Sequence, residues 1–199
     1  MAKIVFFCRV ERRLLRTVEF YKQDLDALTA LGHDVHIATK LSDIPFRFDY
    51  LFVWWWTHAA IPVFLSRLFN RKVIITGTFN FKHPEGFGGV DYFRRPKWQR
   101  ILISYAVKNA NLNIFVNEIE RELCKEYFNL VTDEYCPHVI NDDYLMGPAN
   151  KRELSIFNVA WCTKANLKRK GVPDLIRALG ILKERGVTVK TYLAGHEGD

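Results

Sequence analysis

No two cysteines stand in a CxxC pair; Cys8, Cys124, Cys136 and Cys162 are scattered along the chain. Neither a zinc site nor a disulfide framework finds support in that spacing, so four reduced thiols in a cytosolic protein are expected. No uninterrupted apolar run approaches the roughly 20 residues that a membrane-spanning helix needs. The N-terminal MAKIVFFCRVERR has only a short apolar stretch before charge resumes, and it lacks a small-residue cleavage site. It reads as a buried first strand rather than a secretory signal. No GxGxxG follows a strand-like run and no GxxxxGK[ST] occurs, which argues against a dinucleotide cofactor and against an ordinary nucleoside triphosphatase.

Hydrophobic residues make up 49% of the 199-residue chain and aromatics 14%. That is enough for a buried core, and the length suits one large domain or one and a fraction. The formal charge of +7 is uneven: residues 151–199 hold ten Lys/Arg against five Asp/Glu, leaving nineteen against seventeen before them. A local basic excess invites an anionic ligand, with solvated lysines on a helix as the plain alternative.

Apolar periodicity switches repeatedly between strand and helix character. Lys3 to Cys8 is a compact strand-like run. Leu14, Val18, Tyr21, Leu25, Leu28 and Leu31 then mark one helix face, closed by Gly32. Further strands are predicted at Val35 to Thr39, Tyr50 to Trp55, Val73 to Thr76 and Leu112 to Val116, with a short sixth at Cys136 to Ile140. Helices are predicted at about Ala59 to Phe69, Lys97 to Asn109 and Glu118 to Phe128. Alternation of this kind predicts an α/β fold with a parallel sheet covered on both faces. The polar stretch after Ile140, with Gly147 and Pro148, reads as a boundary. The expected organisation is a first domain at 1–140, a linker at 141–153 and the start of a second domain at 154–199. The second domain has a strand at Ser155 to Val159, a helix at Pro173 to Arg185 and a strand at Val187 to Leu193. One strand, helix, strand unit cannot bury a sheet on both faces, so the second domain is expected to be incomplete here.

The run LFVWWWTHAAIPVFL at 51–65 poses a sharper choice among membrane, nucleic-acid and core roles. Its length and the flanking Asp49 and Arg67 oppose a membrane span. No cations are interleaved with its tryptophans, which opposes stacking on nucleic acid. A central buried strand leading into a packed helix is expected. Alternation should then send Trp54 and Trp56 to one face and Trp55 to the other. Trp56, Thr57 and His58 would fall at the C-terminal end of that strand, where open parallel sheets place their ligand crevice. The bland reading of His58 is a structural histidine.

In FNVAWCTKANLKRKGVPDLI, residues 157–176, a strand and a basic loop precede Gly171 and a helix whose Pro173 suits the first turn. Free N–H groups and the helix dipole favour an anion there. Lys164, Lys168, Arg169 and Lys170 can add charge-assisted bonds to phosphate oxygens.

These segments together resemble the retaining, GT-B-type glycosyltransferases of family 4. Lys170-Gly171 is similar to the family's Lys-Gly before a helix, and VPDLIRALGILKERGVTVKTYLAGHEGD to the helix and strand that follow. LGHDVHIAT resembles the family's Gly-His-x-Val second strand and VIITGTF its fourth. NANLNIFVNEIERELCKEYF and CPHVINDDYL resemble the fifth strand with its helix and the approach to the linker. The chain departs from the family at three places. Cys8-Arg9-Val10-Glu11 replaces a glycine-rich turn, Thr78-Phe79 stands where a histidine is usual, and Ala160-Trp161-Cys162 replaces a Gly-Arg turn, with Lys164 the nearest substitute.

The resemblance implies a Rossmann-like pair of domains and transfer of a sugar from a nucleotide-diphosphate donor to a glycan or lipid-linked acceptor. It implies a retaining outcome. Lys170, Gly171 and Lys164 would hold the donor diphosphate, while His58, Thr57 and Thr78 would face the cleft or the acceptor. The family's glutamate pair would lie beyond Asp199, so the catalytic residues are not assigned and the fragment itself is expected to be inactive. No cofactor is expected and no metal is needed, Asp142-Asp143 being the sole paired-acid candidate for one. A second class is a nonenzymatic protein that binds anionic membranes or phosphate ligands. Arg94, Arg95, Lys97 and Arg100 open a helix carrying Trp98, Ile101 and Leu102, a pattern compatible with an anionic bilayer surface. Cytoplasmic location, with peripheral contact at the inner membrane surface, fits both classes.

Overall fold

The computed structural model describes residues 1–83, 90–138, 155–160 and 162–195. The expected linker with Asp142-Asp143, the second half of the expected sixth strand, and Trp161 lie outside them. The described residues fall into two compact units, one of residues 1–82 and 91–138 and the other of residues 83, 90, 155–160 and 162–195.

The first unit is a doubly wound, Rossmann-like α/β fold. Six parallel strands, β1 (Lys3–Phe7), β2 (Asp34–Ala38), β3 (Tyr50–Trp54), β4 (Lys72–Gly77), β5 (Leu112–Phe115) and β6 (Asp133–Tyr135), stand in the order β2-β1-β3-β4-β5-β6. All five pairings are parallel. Alternation along the strands splits the core in two. Val5, Phe7, Leu51, Val53, Val73, Ile75 and Phe115 pack on one face against Val63 of α3 (Ala60–Leu68), Ile103, Ala106 and Val107 of α4 (Lys97–Asn109), and Cys124 and Phe128 of α5 (Glu118–Phe128). Ile4, Phe6, Phe52 and Trp54 pack on the other against Leu15 of α1 (Leu14–Thr17) and Tyr21 and Leu25 of α2 (Glu19–Ala30).

Three elements differ from the sequence-based expectation. The first helix is broken at Val18, whose backbone is extended (φ −95°, ψ 118°). Thr17 and Val18 are both β-branched, and the Thr17 hydroxyl donates back to the Arg13 carbonyl at 3.1 Å, which loosens the helix at that turn. The sixth strand is Asp133–Tyr135 rather than Cys136 onward. It opens on a buried aspartate that accepts from Arg121 Nε at 2.6 Å, and an ion pair at a strand start leaves no apolar signature. In the second unit, Lys164–Arg169 is a short helix, α6, instead of a loop.

The second unit pairs β7 (Ser155–Val159) in parallel with β8 (Lys190–Ala194), joined through α6 and α7 (Val172–Glu184). No described helix is long and apolar enough to cross a membrane.

Candidate functional site

The sheet order reverses at β1: the chain leaves β1 for β2 on one side and returns to β3 on the other. In open parallel sheets the crevice outside the carboxyl ends of two such strands is the usual ligand site. A crevice of about 520 Å³ opens there, within the range of about 300–1,000 Å³ typical of small-molecule sites. Arg9 enters from the end of β1, Thr57 and His58 from the turn after β3, and Arg95 and Trp98 from the start of α4. A recess of about 70 Å³, lined by Trp55, Thr57, Thr78, Asn80 and Arg95, shares part of that wall.

The tryptophan run shapes this end of the sheet, but not by simple alternation. Trp55 has φ 78° and ψ 114°, a conformation that is strained for any bulky L-residue. The kink turns the chain over. Trp54 packs on the α1/α2 face and Trp56 on the opposite face, whereas alternation would have put them together. Trp55 joins Trp54 on the first face and donates from Nε1 to the Tyr21 hydroxyl at 2.9 Å. Its backbone is held on both sides: its N–H donates to Thr76 O at 2.9 Å, and its carbonyl accepts from the His58 N–H at 3.0 Å. Gly77 (φ 127°) lies under the ring, and a Cβ there would come within 3.2 Å of Trp55 Cε3. Backbone strain of this kind clusters at functional sites, and here it lies beside the small recess at the crevice wall.

His58 sits on a short 3₁₀ turn, Trp56–His58, and is half-buried. Its Nδ1 is sealed from solvent with no hydrogen-bond partner among the described residues. Burial, then Arg9, then Arg95, push its pKa below the ordinary histidine value, so the ring is neutral near pH 7. No Asp or Glu lines the larger crevice. Removing a neighbouring cation therefore removes part of the cause. In an NMR titration, Arg9→Gln and Arg95→Gln are each expected to move the His58 midpoint upward toward the free-imidazole value, and an unchanged midpoint in both would show that the arginines do not act on the ring.

Cys8, adjacent to this crevice in the chain, is no nucleophile: burial pushes its thiol up to about 12. The loop after β4 is anchored from below, since Glu120 of α5 accepts from the Phe79 N–H at 2.9 Å and the Phe81 N–H at 2.8 Å. Phe79 is thereby drawn into the core, and Thr78 is left exposed at the rim.

Thr57, His58 and Thr78 thus all stand at the carboxyl end of the first sheet. Arg9 and Arg95 join them there, and sequence reasoning had not placed either in the crevice. Lys164, Lys170 and Gly171 lie in the second unit. Thr163 caps α6, accepting from the Asn166 N–H at 3.4 Å, and Lys164 is its first residue. Lys170 closes α6, and Gly171, left-handed at φ 68°, is the N-cap of α7 with Pro173 in the first turn. Both lysine side chains are exposed, while Arg169 is engaged through Nε and Nη2 with Asn166 Oδ1. Among the described residues no group of three or more His, Cys, Asp or Glu is arranged to hold a metal. No protein-family model matches the chain, and no curated protein sequence does.

Proposed function

We propose that the chain belongs to a GT-B-like glycosyltransferase that moves a sugar from a nucleotide-diphosphate donor to a glycan or lipid-linked acceptor. The observation that carries this reading is the turn at Lys170-Gly171. A left-handed glycine there starts a 13-residue helix between an exposed lysine and a proline of the first turn. Lys170 directly precedes the N-cap of α7, so a lysine and the free N–H groups of that helix start come together in the chain, a combination suited to a diphosphate.

Negative charge grows on the diphosphate as its bond to the sugar breaks. Lys170 and the α7 N-terminus, with Lys164 as a further cation, would stabilise that charge more than the ground state, which is the requirement for catalysis. The acceptor would occupy the crevice of the first unit beside Thr57, His58 and Thr78. The retaining outcome follows from the sequence resemblance.

Calorimetry with a panel of nucleoside diphosphates and nucleotide sugars tests the donor site. Lys170→Ala is expected to weaken binding by roughly tenfold or more, the worth of one charge-assisted hydrogen bond. Lys168→Ala serves as the control on the same short helix. A Lys170→Ala protein that binds as tightly as the parent, or a parent that binds no nucleotide, would return the turn to a solvated helix start.

The second reading, a nonenzymatic protein that binds an anionic surface, is favoured by one observation: Trp98 is 61% exposed and Ile101 59%. A parent that binds anionic vesicles but no nucleotide would select it.

A further inference from the structure

The helix α4 covers the sheet with Ile103, Ala106 and Val107 only, and turns Trp98, Ile101 and Leu102 outward. Its neighbour α3 repeats the pattern. Pro62, Val63 and Ser66 face inward, while Ile61, Phe64 and Leu68, at helical spacing, face solvent, with Phe64 56% and Leu68 65% exposed. The two helices pack on each other, so both exposed stripes belong to one side of the first unit. Such a concentration of large exposed apolar residues on neighbouring helices marks an interaction surface.

Charge identifies the partner. The segments 57–72 and 94–112, which contain both helices, hold eight Arg/Lys (Arg67, Arg71, Lys72, Arg94, Arg95, Lys97, Arg100 and Lys108) and no Asp or Glu. Even with Arg94 paired to Asp91 at 3.8 Å, apolar stripes on a predominantly basic background suit an anionic bilayer, which offers hydrocarbon and negative charge together. The crevice opens between these same helices: Ile61 of α3 and Trp98 and Leu102 of α4 form its apolar wall, while Arg9, Arg95 and His58 supply its polar end.

We propose that α3 and α4 dock the protein on an anionic membrane and that the crevice takes a lipid with a phosphomonoester headgroup, its phosphate held by Arg9, Arg95 and His58. The inference does not rest on glycosyl transfer, since it uses only the first unit.

Sedimentation with vesicles of phosphatidylcholine alone, or mixed with phosphatidylglycerol or with phosphatidic acid, tests both parts. The parent should bind both anionic mixtures, ignore phosphatidylcholine and favour phosphatidic acid. The pair Phe64→Ser with Trp98→Ser should weaken binding to both mixtures by about tenfold or more. Both side chains are exposed, so circular dichroism should show the fold retained. The pair Arg9→Gln with Arg95→Gln should abolish the preference for phosphatidic acid, while phosphatidylglycerol binding falls only by the several-fold that one surface cation, Arg95, is worth. Three results would overturn the proposal: no binding to anionic vesicles, unchanged binding of the Phe64/Trp98 variant, or self-association of the parent that this variant abolishes, which would make the surface a contact between copies. Binding of free glycerol phosphate as tightly as phosphatidic acid vesicles would remove the bilayer from the account.

Discussion

Replacing Trp56 with alanine is expected to lower the stability of the first unit by about 3–5 kcal/mol, the usual cost of emptying a buried aromatic site. Trp56 is 3% exposed, stacks on Phe115 at 5.1 Å and meets Phe79 edge to face at 5.2 Å. Its indole N–H donates to Asn113 Oδ1 at 2.9 Å, while Asn113 Nδ2 donates to the Val107 carbonyl at 2.9 Å. Asn113 is buried in β5, so truncation opens a cavity and also strands a polar atom. Trp56→Phe separates the two effects, since it keeps most of the ring and loses the donor, at about 1–3 kcal/mol. Trp55→Ala should cost less than Trp56→Ala, because Trp55 is only partly buried and its backbone strain persists in any L-residue. Urea unfolding followed by tryptophan fluorescence measures the series. Equal losses for Trp55→Ala and Trp56→Ala would contradict the division of the run into a core residue and a rim residue.

Asp24→Asn is expected to stabilise the protein at neutral pH by about 3 kcal/mol and to leave it unchanged in acid. Asp24 lies on α2, where burial raises its carboxyl to about 6. The Trp54 indole N–H makes no hydrogen bond of good geometry, yet it lies near enough to pull the carboxyl part of the way back. The folded-state value stands above the unfolded one. The favourable contribution of protonated Asp24 is therefore complete below about pH 4 and is lost as pH rises through about 6. The parent should lose stability across that window relative to Asp24→Asn. Parallel denaturation curves for the two proteins from pH 4 to pH 8 would show that Asp24 is not desolvated.

The sheet was legible because its strands are short apolar runs separated by helices with clear three-and-four spacing. Lys97–Asn109 and Glu118–Phe128 fall where periodicity puts them. What periodicity misses is local chemistry that overrides it. The Trp55 kink depends on two backbone hydrogen bonds and on the space above Gly77, none of which a pattern of residue types displays. The α6 helix was hidden because its lysines resemble a solvated loop, although Thr163 caps it.

The candidate crevice was half visible. Thr57 and His58 follow a strand and so could be placed at its end. Arg9 and Arg95 reach the same space only because β1 and β3 are neighbours and α4 begins above them, facts of strand order that no short stretch records. The outward stripe of α3 was missed for a related reason: Ile61, Phe64 and Leu68 are as apolar as the residues that face the sheet, and the structure alone shows which side each takes.

The strand order also bears on how the chain is made. As it leaves the ribosome, β1 first gains β2 on one side and then β3 on the other. After that β4, β5 and β6 arrive in sequence at the same growing edge, so no strand must be threaded between two that are already paired. Each newly synthesised segment meets a finished template whose open backbone groups it completes. A wholly parallel sheet, whose distant contacts ordinarily make folding slow, can here be assembled in the order of translation, one strand at a time.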